Sequence, residues 1–129
     1  LNEAVLDSSA VLALIFEEPG AELVESTLPG ALISTVNLAE IIAKLIDRGS
    51  SHEIARSAVE NLGAEIIEFD INQAILAGEL RTVTRSLGLS LGDRACLALA
   101  RERNLPAMTS DTSWGKLPNV NVILIRNPA

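Results

Sequence analysis

The stretch Leu89-Ser90-Leu91-Gly92-Asp93-Arg94-Ala95-Cys96-Leu97-Ala98-Leu99-Ala100 decides the kind of fold. Ser90, with Asp93 three residues on, is a helix-opening pair. The helix they open is apolar on every side from Ala95 to Ala100, and a helix of that kind is buried on several faces. Asn104 and Pro106 end it, and Ala107-Met108-Thr109 then reads as a strand.

The same alternation continues in both directions. Upstream, Gly88 closes a long helix that Asp70 and Gln73 can cap, reaching to about Leu87. Before it, Glu65 to Phe69 reads as a strand and Gly63 as a stop. Ser50 with Glu53 forms a capping-box pattern for a helix with an apolar face of Ile54, Ala55, Ala58, Val59 and Leu62. Apolar residues at 38, 41, 42, 45 and 46 mark a helix ending near Gly49. Ala31-Leu32-Ile33 is a strand, residues 21–28 a short helix, and Ala4-Val5-Leu6 a strand ending at Asp7. Ser8 or Ser9 can cap a helix through about Phe16. Downstream, Val122 to Ile125 is a fifth strand. Strands separated by helices imply an α/β fold with a parallel sheet covered on both faces.

Composition narrows the class. The chain has 129 residues and is 48% apolar, which fits one domain over 1–129 with a core that needs no disulfide. The single cysteine, Cys96, excludes an internal disulfide framework and a cysteine zinc site, and a reduced, cytoplasmic setting is the natural reading. Residues 1–10 lack a basic segment followed by an apolar stretch, so no signal peptide is expected. No long uncharged apolar run is present, so no membrane partner is expected. His52 is the only histidine, which excludes a two-histidine acid–base ribonuclease. Cys96 lies inside an apolar run, where a small buried residue is the simpler role. Neither a Gly-x-Ser-x-Gly elbow nor a Walker-type loop occurs.

Sites in open parallel sheets lie at the carboxyl ends of strands. Asp7 follows the first strand and Asp111 the fourth. Glu40 and Asp93 lie in the first turns of helices, and helix starts face the same sheet edge as strand ends. Four carboxylates on one edge, with no histidine or thiol, suit a hard cation such as Mg²⁺ or Mn²⁺. Each also has a structural reading. Asp7 can cap a helix, Asp93 occupies the acidic place of a capping box, and Asp111 can be a turn residue. Glu40 falls opposite the Leu38/Ile41/Ile42/Leu45 face with Lys44 four residues on, so spacing alone reads it as a solvated ion pair.

Longer strings carry a resemblance. Val5-Leu6-Asp7-Ser8-Ser9-Ala10 resembles the opening of a PIN domain, and Ile33-Ser34-Thr35-Val36-Asn37-Leu38-Ala39-Glu40 its second motif. Leu89 to Ala100 closely resembles the third, and Thr109-Ser110-Asp111 followed by Trp114 the fourth. The match covers nearly the whole chain and is nearest to VapC-type toxins of bacterial and archaeal toxin–antitoxin pairs. The resemblance implies a parallel five-stranded sheet sandwiched between helices. It implies an endoribonuclease dependent on one or two Mg²⁺ or Mn²⁺ ions held by Asp7, Glu40, Asp93 and Asp111, with Ser9 and Thr109 in support. It also implies a homodimer, and a cognate antitoxin whose arginine-bearing tail fits the acidic site.

The net charge of −7 opposes an RNA substrate, because phosphate contacts need a basic surface. Two bound divalent ions would bring it to −3. Arg81, Arg85, Arg94 and Lys116 are the candidate phosphate contacts, although Arg81 and Arg85 also read as ordinary solvated helix residues. Two other readings compete. A phosphatase or receiver-like domain would use an aspartyl phosphate, but a haloacid-dehalogenase-type site wants an aspartate where Ser9 stands, and a receiver wants an acidic pair where only Asp7 is present. A PIN fold serving purely as an interaction module would be favoured by an incomplete carboxylate set, and here all four are present.

Overall fold

Five short strands form one sheet: β1 (Ala4–Leu6), β2 (Ala31–Ser34), β3 (Glu65–Ile67), β4 (Ala107–Thr109) and β5 (Val122–Leu124). The structure, a computed structural model, describes residues 3–126. The ends of the domain expected over 1–129, and with them the first residues of the stretch read for a signal peptide, lie outside the described residues. The strand order is β3-β2-β1-β4-β5 and every pairing is parallel. The helices are α1 (Ser8–Ile15), α2 (Ala21–Thr27), α3 (Thr35–Asp47), α4 (His52–Glu60), α5 (Ile71–Glu79), α6 (Arg81–Thr84) and α7 (Leu91–Arg103).

Strand side chains alternate between two cores, as the pleat requires. Ala4 and Leu6 of β1, Ala31 and Ile33 of β2, and Met108 of β4 pack with residues of α1 to α4. Val5, Leu32 and Ala107 point the other way, into a cluster with Ala77 of α5, Trp114 and the run Cys96–Ala100 of α7. Ala95 through Ala100 are all buried, as an all-round apolar helix demands. Both faces of the sheet are therefore covered. The chain runs outward from β1 in both directions, which leaves the switch of strand order beside β1, at the carboxyl edge where Asp7 emerges.

Several boundaries differ from expectation, each for a local reason. The helix expected to open at Ser50 opens one residue later, with Ser51 capping the Ile54 N–H at 3.1 Å. Ser50 is engaged in closing α3 instead. Gly49, at φ +102°, donates its N–H to Ile46 O and Ser50 donates to Leu45 O, a Schellman closure. The long helix expected from Asp70 to Leu87 is interrupted at Leu80 into α5, α6 and a 3-10 turn over Arg85–Leu87. Thr82, Val83 and Thr84 are poor helix formers, and Thr84 donates its hydroxyl to Leu80 O. β3 stops at Ile67 rather than Phe69, because the Phe69 N–H leaves the sheet to bind Thr35 Oγ1 at 3.0 Å. Among the described residues no helix is long and apolar enough to cross a membrane.

Candidate active site

Asp7 stands where β1 ends and α1 begins. Its N–H donates to Met108 O and its carbonyl accepts the first bonds of α1. Its backbone thus fills the N-cap position, yet its carboxylate caps nothing. That carboxylate is 3% exposed. Its Oδ2 accepts the hydroxyls of Ser9 at 2.7 Å and Thr109 at 2.9 Å. Each hydroxyl has one proton to give. Backbone N–H groups of Ser110 and Asp111 donate to Ser9 Oγ and Thr109 Oγ1 respectively, and the two hydroxyls lie 3.1 Å apart. Ser9 therefore serves the Asp7 carboxylate and does not cap α1.

Asp7 Oδ1 is buried with no hydrogen-bond partner. Burial lifts the Asp7 carboxyl from 3.8 to about 6. The Ser9 hydroxyl opposes the rise, the Asp93 carboxylate adds to it, Thr109 again opposes it and Glu40 adds to it. The Cys96 thiol, fully buried beneath the cluster, is likewise pushed up, by burial first and then by Asp7, Asp93 and Glu40. Three carboxylates thus act electrostatically on one region, and the cysteine there is a packing residue rather than a nucleophile.

Glu40 does not make the expected surface ion pair with Lys44. The ion pair found among the described residues is Arg126 with Glu18 at 3.6 Å. Glu40 Oε1 accepts from Ser8 Oγ at 2.9 Å and Asn37 Nδ2 at 3.0 Å. Its carboxylate lies so closely over Gly92 that a Cβ there would overlap it. The first turns of α3, at Asn37 and Glu40, face the opening turn of α7, while Lys44 and Asp47 further along are exposed; the N-terminus of a helix favours a carboxylate. One residue further along α7, Asp93 completes the capping box. Its Oδ2 accepts the Ser90 N–H at 2.9 Å and its own N–H donates to Ser90 Oγ at 3.2 Å. Asp111 is exposed, and its Oδ1 takes the N–H and hydroxyl of Ser113, capping a 3-10 turn over Thr112–Lys116. It is absent from the groups acting on Asp7. Asp7, Glu40 and Asp93 are drawn together, and Asp111 stands at the rim.

Arg94 is not a surface phosphate contact. It is 8% exposed and its guanidinium donates to Ala77 O of α5 at 2.9 Å. The rotation of α7 that turns Asp93 outward toward the cluster carries the next residue inward. Arg81, Arg85 and Lys116 are exposed. Asn37, Ser8 and Gly92 belong to the site without having been marked in advance. The signal was present for one of them: Asn37 precedes Glu40 by three residues, one helical turn.

The donor set suits a hard divalent cation in kind. All the groups are oxygens, and one buried carboxylate oxygen lacks any partner. Among the described residues no three acidic, histidine or cysteine side chains close on a point as a finished ion site. Carboxylates with no cation between them repel, so the side chains of Asp7, Glu40 and Asp93 would turn inward to hold one.

A doubly covered parallel sheet with carboxylates gathered at its switch point defines a class of α/β proteins built to work at that edge. The family model described as the PIN domain matches residues 4–120, and the chain belongs to the PIN domain family. Among solved structures it is similar to VapBC2 from Rickettsia felis bound to a DNA fragment from its promoter, with a TM-score of 0.74 at 21% identity over 95% of this chain and 98% of that one. A toxin–antitoxin complex from Klebsiella pneumoniae gives 0.74 at 20% identity, over 97% and 99%. VapC20 of Mycobacterium tuberculosis, a sarcin-ricin loop cleaving toxin, gives 0.69 at 20% identity, over 91% and 98%. At such identities the likeness is one of fold. No curated protein matches the chain.

Proposed function

We propose that the chain is a metal-dependent endoribonuclease and the toxin of a toxin–antitoxin pair. The observation that carries this is Asp7: a buried carboxylate with one oxygen held by two hydroxyls, the other unpartnered, and Asp93 and Glu40 acting on it. A fold gains nothing by burying such a group unless a cation meets it. Asp7, Glu40 and Asp93 would hold Mg²⁺ or Mn²⁺, one ion or two, with Asp111 reaching in from the rim. A bound divalent ion supplies Lewis acidity toward water and phosphate oxygens. The chain's own groups do the positioning. Ser9 and Thr109 fix Asp7 Oδ2, the capping box fixes Asp93, and Ser8 and Asn37 fix Glu40. Preorganisation of this kind removes the cost of ordering charged groups during the reaction.

RNA would be held by few cations. Arg81, Arg85 and Lys116 are the exposed candidates, so binding is modest and salt-sensitive. The fold it shares with the toxin–antitoxin complexes supports an antitoxin as partner; an arginine-bearing tail would blank the acidic edge, and the proposed working unit is a homodimer.

The test is cleavage of structured RNA by the purified chain with Mn²⁺ or Mg²⁺, followed by sequencing of the new ends. EDTA and Asp7→Asn should each abolish cleavage. Metal-independent cleavage that survives Asp7→Asn overturns the reading.

A further inference from the structure

Asn37 is fully buried in the first turn of α3, and burying an amide costs stability unless all its polar atoms are paired. Its Nδ2 donates to two acceptors, Glu40 Oε1 at 3.0 Å and Gly92 O at 3.0 Å. Because both partners can only accept, the nitrogen must be the end that faces them. Its Oδ1 is left buried without a partner. A residue chosen for stability would not strand a buried carbonyl oxygen, since an apolar side chain of similar size incurs no such penalty.

What the amide does is join two elements at the site. One hydrogen bond orients the Glu40 carboxylate on α3. The other grips the backbone of α7 at the residue before Asp93. Gly92 belongs to the same arrangement. The Glu40 carboxylate fills the space where a Cβ at that position would lie, so only glycine allows the two helices to bring their acids this close. We infer that Asn37 is a positioning residue, a clasp that sets Glu40 against the first turn of α7 and makes Glu40 and Asp93 move as one unit. The inference rests on the metal-dependent reading proposed above, because a clasp between two acids serves a cation that both hold.

The experiment compares wild type, Asn37→Leu, Asn37→Ala, Glu40→Gln and the Asn37→Ala/Glu40→Gln double variant. Three quantities are read: thermal melting in EDTA, Mn²⁺ affinity of the metal-stripped protein by calorimetry, and kcat and KM for RNA cleavage. Residues that orient metal ligands typically contribute about 10–100-fold in affinity or activity. Asn37→Leu should melt at or above the wild-type temperature, yet bind Mn²⁺ about 10-fold or more weakly and lose kcat with KM little changed. Asn37→Ala, which removes the amide without adding bulk, should show the same loss of affinity per folded molecule. In the Glu40→Gln background Asn37→Ala should add little, because the clasp acts through Glu40. Wild-type Mn²⁺ affinity and kcat in both Asn37 variants, or full additivity with Glu40→Gln, overturns the clasp while leaving the nuclease reading intact. A wild-type chain that neither binds Mn²⁺ nor cleaves RNA overturns both.

Discussion

Asp7→Asn removes a buried negative charge that the metal-free fold carries at a cost, and the cost can be worked out. The Asp7 carboxyl rises from 3.8 to about 6. At about 1.4 kcal/mol per pH unit, the ionised group opposes folding by about 3 kcal/mol near neutrality. Below the unfolded value of 3.8 the group is protonated in both states and the penalty is absent. Between 3.8 and about 6 the folded chain keeps a proton that the unfolded chain has lost, so stability falls as pH rises. Above about 6 the whole penalty is felt. Asparagine retains an oxygen for Ser9 and Thr109 and carries no charge, but its buried N–H₂ wants an acceptor, which costs about 1–3 kcal/mol if unmet. That amide cost does not depend on pH. Urea unfolding in EDTA should therefore give a difference, Asp7→Asn minus wild type, that rises by about 3 kcal/mol between pH 3.5 and pH 8. Saturating Mn²⁺ should shift the balance back toward wild type. At a hundredfold excess over Kd it adds about 2.7 kcal/mol to a chain that binds it, and it should add far less to the variant. A difference that is flat with pH, or a variant stabilised by Mn²⁺ as much as wild type, refutes the reasoning.

Arg94→Ala should cost about 1–3 kcal/mol in chemical denaturation, because the buried side chain leaves a cavity and Ala77 O loses its donor, while the salt dependence of RNA binding stays unchanged. Arg81→Gln with Arg85→Gln should do the reverse: stability within about 0.5 kcal/mol of wild type, and a slope of log affinity against log salt shallower by roughly 1 to 2, read by filter binding in a cleavage-inactive background. Asp111→Asn keeps the oxygen that Ser113 uses, so melting should be unchanged. Cleavage should fall by about 10–100-fold, less than for Asp7→Asn. Undiminished cleavage would make Asp111 a turn residue only.

The parts of this fold that were legible in the sequence are those governed by near neighbours. Ser90 and Asp93 meet within one turn, and so do Asp70 and the Gln73 N–H, so spacing alone could announce them. The buried run of α7 was legible because a helix without a polar side has nowhere to go but inside. Glu40 was not. Its phase on α3 placed it correctly away from the apolar core, but a single helix carries no record of what covers its polar side. Here the cover is the start of α7, more than 50 residues away in the chain. Arg94 misled for the same reason in reverse: charge suggests exposure, and a carbonyl on α5 made burial tolerable. Asn37 passed unnoticed because a polar residue in the first turn of a helix reads as a solvated or capping group. The order of the strands, with β1 between β2 and β4, is likewise set by pairings no local pattern encodes.

The bond from Thr109 to Asp7 spans 102 positions, and its consequence is one of timing. A growing chain carries Asp7 for 102 residues before Thr109, on the strand β4, is made. Until then β1 lacks its β4 neighbour, and the central carboxylate has no wall on that side. The carboxylate edge is therefore complete only once β4 has been made. On the nuclease reading proposed above, a fragment that stops short of β4 should leave RNA uncut.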